Sequence, residues 1–320
     1  MDESTHMTKK KKSARILLLL LLTLLLLLTG GCASLFERDY YSSRDFSDDD
    51  SGAENMSGAA ISDYGALVAA MDEMVREYHT QGKLRIVAYE GSLDEDISRA
   101  VSYIKLETAL GAYSVDYMYC DPKRIVSYYE ADVFIAYKRT KEQLDAISLI
   151  EDTEALREWL TATTEKAAFY SSALGAEDVM QAVRDIYYSE PFFSIRLPDT
   201  EVTVYGGSAP LRIIEVSFRE DAEDAAYPGG SEALLRELEA AAERMVAEVL
   251  ERAEADVTEE GTEEKLARIV LELLTASCEF SEEGRNASTA YGALCEGKAG
   301  EEGFMMAYTA IWQKLGFDIS

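Results

Sequence analysis

At residues 291–304 the chain reads YGALCEGKAGEEGF, which sets the thiol of Cys295 close to the paired carboxylates of Glu301 and Glu302. A thiol of this kind could serve acyl transfer, but the reactive form is the thiolate, and it needs a base or an electropositive helix start to hold its proton away. The two histidines are His6, near the start, and His79, far upstream. A Cys295 nucleophile would need His79 to come round from another part of the fold, so the residues favour a buried or bridged thiol, and His79 reads as a capping or surface residue. Residues 292–298, GALCEGK, fit the first positions of a phosphate-binding loop. Ala299 stands where a magnesium-holding hydroxyl belongs, no strand pattern precedes the run, and Glu301 and Glu302 would repel phosphate from the next helix, which argues against nucleotide binding.

The remaining chemistry-bearing residues narrow the field further. Cys120, Cys278 and Cys295 contain no CxxC pair, so neither a zinc site nor a disulfide framework is implied, and a bridge between Cys278 and Cys295 stays open. The acidic run at Asp48–Asp50 lacks the spacing and downstream Glu of a calcium loop. No metal and no cofactor is expected. With a formal net charge of −29 the chain is expected to repel nucleic acid and anionic lipid, and no nucleic-acid partner is expected.

These residues need elements to carry them, and 320 residues suffice for about two domains. Residues 1–31 read as a secretory leader: Lys9, Lys10, Lys11, Lys12 and Arg15 precede a leucine-rich stretch at 16–28 that is short for a membrane span. Residues 32–62 are acidic, without aliphatic periodicity, and read as a disordered tether. Residues 63–225 should form an N-terminal α+β domain. Its first helix spans 63–79, followed by a strand at KLRIVAYEG, a helix over 94–110 stopped by Gly111, and a Tyr-rich hairpin over 113–139 broken at Asp121 and Pro122. Thr140 caps a helix reaching Ile150, and helical patterns fill 153–188 except near Leu174 and Gly175. FFSIRL, EVTVYG and LRIIEVSFRE read as short strands. Residues 226–320 turn helical. Ser231 is an N-cap candidate, Leu234, Leu238, Ala241, Met245 and Val249 make one apolar face, and Leu266, Ile269 and Leu273 make another from Thr262 onward.

Two resemblances join these readings. Leu28, Thr29, Gly30, Gly31 and Cys32 resemble the lipobox of bacterial lipoproteins, with Thr29 where an aliphatic residue is usual. That resemblance implies cleavage before Cys32, acylation of its thiol, and an extracytoplasmic protein held on the lipid bilayer. Residues 262–319 resemble the first half of a bacterial transglutaminase-like domain of the papain-type superfamily. The residues that carry it are Tyr291, Gly292 and Leu294, then Gly297, Lys298 and Ala299, then Gly303 and Phe304, with Leu315, Gly316 and Phe317 closing the helix.

In that family a Cys at the helix start forms a thioester, while a His and an Asp on later strands act as base and orienter. The resemblance places Glu301 at the nucleophile position, and a carboxylate there suits a helix N-terminus but not amide chemistry. No His follows Glu301. The implied protein is a catalytically inactive transglutaminase-like pseudoenzyme at the bacterial envelope, with a binding or structural role and a peptide or wall component as ligand class. Two alternatives are a truncated relic of a cysteine acyltransferase or protease, and an active enzyme whose base comes from a partner chain.

Overall fold

Asp63 closes the first turn of helix α1 (Tyr64–Arg76) by accepting the Ala66 N–H at 2.9 Å. The helix buries Leu67, Met71, Met74 and Val75, the helical stripe its sequence carries. The computed structural model describes residues 60–317 apart from 165, 208, 220 and 254–261, all within one compact unit, Ala53–Ser320. The expected leader, Cys32 and most of the expected tether lie outside the described residues. Of the tether's last residues, Ile61 is buried and bridges Ile86.

The first layer is an antiparallel sheet of β1 (Gln81–Ile86), β2 (Val115–Ile125) and β3 (Tyr128–Tyr137) in the order β1-β3-β2. It packs on α1 and on α2 (Leu93–Glu107) through Ile97, Ile104, Met118 and Val133. The hairpin forms, but it does not break at Asp121 and Pro122. Both stay in β2, opposite Asp132 and Ala131, and the chain reverses after Ile125 at Val126, whose φ is +37°. Proline is tolerated there because β2 is an edge strand. Lys123 reaches between the facing carboxylates, 2.6 Å from Asp132 and 3.7 Å from Asp121.

Gly111 likewise does not stop α2. The helix ends at Glu107, and the Thr108 hydroxyl donates to the Ile104 carbonyl and accepts the Gly111 N–H, starting the short α3 (Ala109–Ser114). Thr140 and Gln143 form a reciprocal capping box on α4 (Lys141–Asp145), but that helix ends well before Ile150.

The second layer is a sheet in the order β4-β5-β7-β6, from β4 (Ser148–Leu149), β5 (Lys166–Ser171), β6 (Asp199–Tyr205) and β7 (Arg212–Arg219). Helices α5 (Thr153–Ala162) and α6 (Ala176–Ser189) cover it through Leu156, Leu160, Val179, Val183 and Ile186, packed near Phe169, Ile214 and Val216. Strand β5 falls inside the stretch expected to be helical, and FFSIRL is a loop, not a strand.

The third layer is helical. After α7 (Ala222–Ala225) come α8 (Gly230–Ala253) and α9 (Thr262–Ser277), then the two-stranded parallel pair β8 (Glu279–Phe280) and β9 (Lys298–Ala299), then α10 (Glu301–Lys314). Ser231 lies inside the first turn of α8, which begins at Gly230. Leu234, Leu238, Val249, Leu266, Val270 and Ile311 fill the core, joined by Tyr187 of α6. The whole is an α+β fold.

Candidate functional site

The segment that leads into α10 is fixed by close backbone packing. A Cβ on Gly292 would sit 2.0 Å from the Asn286 carbonyl oxygen, and one on Gly303 would sit 2.4 Å from that of Ala287. At both positions a side chain would force the facing backbone to shift. Gly292–Glu296 form a π-helical turn, Gly297 leaves it with φ +68°, and Lys298 enters β9 with its ammonium 3.6 Å from Glu279. This is not a strand, loop and helix around a phosphate, so the GALCEGK run does not build a nucleotide cradle.

Tyr291 is buried, and its hydroxyl donates to Glu237 Oε2 at 2.8 Å while Tyr227 donates to Oε1 at 2.8 Å. The two donors hold the Glu237 carboxyl below its ordinary range. Cys295 is exposed beside this cluster, and it is free, as is the buried Cys278. Cys295 is therefore neither buried, as its sequence context suggested, nor joined to Cys278 by the bridge left open between them. Protein atoms crowding the Cys295 sulfur, and then the Glu237 carboxylate, push its thiol up to about 11, the reverse of an activated nucleophile. His79 stands 2.8 Å from Glu77 Oε2, next to the end of α1, and does not line the cavity described next.

Glu301 is the first residue of α10, after Gly300 as N-cap. It lines an open apolar groove of about 1220 Å³ between α9 and α10. Leu271, Phe280, Met305, Tyr308 and Trp312 are among its walls. Phe304 and Cys278 also line it, and Gly316, with φ +88°, ends the helix beyond. A smaller cleft of about 470 Å³ adjoins it through Glu301 and Met305, adding Glu282 and Glu302.

Glu302 accepts a hydrogen bond from Tyr188 of α6 at 2.8 Å, and that bond, followed by burial, pushes the Tyr188 hydroxyl up. The Glu301 side chain makes no hydrogen bond or ion pair among the described residues. The same residues show no cluster able to hold a metal ion and no helix long and apolar enough to cross a membrane.

Two kinds of groove residue escaped the sequence reading. Leu271 and Met305 sit off the buried stripes of their helices, a signal that was present. Phe280 and Tyr188 join them only through the tertiary fold. No protein-family model matches the chain, and no curated protein matches it.

Proposed function

We propose that this chain is a lipid-anchored envelope protein whose transglutaminase-like module binds instead of catalysing. The observation that carries the reading is Glu301, a solvated carboxylate at the start of α10, at the edge of an open groove and in the place where the resemblance sets a thiolate. A carboxylate there is favoured by the helix macrodipole, so the helix is stabilised by the residue that removes the nucleophile. The thiol outside the groove, Cys295, is held protonated, and the thiol on its wall, Cys278, is buried with its proton-loss also disfavoured. Among the described residues neither has a histidine partner.

The test is an assay of fluorescent amine incorporation and of peptide hydrolysis by the purified protein. No turnover above background is expected. Turnover abolished by Cys295→Ala would overturn the reading. In the same preparation, iodoacetamide labelling of Cys295 should be slow at pH 8, where a thiol with a pKa of about 11 is about one part in a thousand thiolate, and should climb toward pH 11. For the anchor, Cys32→Ser should move the protein from the membrane fraction to the soluble fraction, and unchanged fractionation would remove the lipid from the proposal.

A further inference from the structure

We propose that the groove between α9 and α10 seats a basic amphipathic helix from a partner polypeptide, its apolar face on Leu271, Phe280 and Met305 and a cationic side chain on Glu301. This rests on the binding reading above and names the occupant of that site.

Exposed apolar side chains are concentrated at this groove. Leu271, Phe280 and Met305 are 54%, 64% and 59% exposed, and Tyr188 is 45% exposed beside them. Scattered exposed apolar residues are ordinary in any fold, but several around one concavity form a surface that water covers at a cost. At about 1220 Å³ the groove exceeds the usual range for small-molecule pockets, and most of its lining comes from the two helices α9 and α10. Side chains at i, i+3, i+4 and i+7 of a third helix are the natural filling for such a trough.

Charge selects among helices. Glu301 is shared between the groove and the acidic cleft, and its partner in sequence, Glu302, is already engaged by Tyr188. A lysine or arginine reaching Glu301 would find Glu282 and Glu302 near it, all in a chain of formal net charge −29. A second copy of this chain would bring its own Glu301 and the same net charge, and an anionic lipid surface would be repelled in the same way.

The experiment uses fluorescence anisotropy of a labelled Leu/Lys peptide, Leu at i, i+3, i+4 and i+7, titrated with the purified full chain at about 0.15 M salt, where long-range attraction is screened. Saturable binding is expected. A Leu/Glu peptide of the same pattern should not bind. Met305→Asp and Leu271→Asp should each weaken binding by at least about tenfold, the scale of one lost apolar anchor, and Glu301→Gln by about three- to tenfold. These positions are exposed, so circular dichroism and thermal midpoints should match those of the parent protein. If Met305→Asp fails to fold, Met305→Ser takes its place.

Equal binding of a Leu/Lys peptide with strictly alternating residues would show bare charge attraction and overturn the proposal. So would binding unchanged by both Glu301→Gln and Met305→Asp. Self-association lost in Met305→Asp, or vesicle binding lost with it, would assign the groove to a second copy or to lipid instead. Catalytic turnover would sink the non-catalytic reading while leaving the groove result legible, and absent peptide binding without turnover would sink the groove proposal alone.

Discussion

Around Glu215 the molecule answers a buried carboxylate from several sides, whereas around Glu301 it leaves a solvated carboxylate unanswered. Glu215 projects from β7 and is 6% exposed. Arg139 reaches it at 2.7 Å, Lys166 at 3.0 Å, and the Tyr205 hydroxyl donates at 3.1 Å. Arg139 also lies over the Tyr113 ring, 4.9 Å from its centre, and the nearby carboxylate adds to burial in pushing the Tyr113 hydroxyl up. Removing a charge from water is costly, so the fold surrounds Glu215 with donors and thereby ties the segment after β3 to the second sheet. Glu301 is exposed and bears no such cost, and its lone pairs stay with solvent. The contrast separates a charge that holds the fold together from one that the fold leaves to solvent.

Three substitutions can break or sharpen this contrast. The largest effect belongs to Glu215→Gln, which leaves the partly buried Arg139 guanidinium without its countercharge. A loss of about 3 kcal/mol in urea unfolding is expected, and a loss under about 1 kcal/mol would mean that the cluster is not structural. Next is Gly303→Ala, which asks whether backbone packing holds the Glu301 end in place of ion pairs. Alanine favours helix by about 1 kcal/mol. Here its methyl would meet the Ala287 carbonyl at 2.4 Å and Ala299 Cβ at 2.8 Å. Crowding should win, for a net loss of about 2 kcal/mol in the same measurement, and a stabilised variant would show that the loop yields. Smallest is Glu301→Gln, which loses only a dipole interaction of about 0.5 kcal/mol, a shift near the limit of a thermal melt. A larger loss would reveal a structural role for Glu301 and erase the contrast.

The helices were legible where one apolar stripe did all the packing, as in α1, α8 and α9. Strand β5 was not, because Ala167 and Ala168 suit a helix as well as a strand and neither Gly nor Pro separates them from α5. The hairpin was legible but its reversal was misplaced: Asp121 and Pro122 are a stronger local turn signal than Val126 and Ser127, and only the position of β2 at the sheet edge overrides it. At the groove, the sequence could mark Leu271 and Met305 as apolar residues off the buried stripes. It could not bring Phe280 and Tyr188 beside them, since that depends on how α6, β8 and α10 dock.

Pro122, kept within the edge strand β2, has a further consequence. An edge strand offers unpaired backbone groups to any passing extended chain, and long smooth edges seed intermolecular growth. The prolyl nitrogen has no hydrogen to contribute to such a seam, and the neighbouring Lys123 adds a charge to the same stretch. Strand β2 therefore carries its own guard against aggregation, set into the residues that look most like a turn.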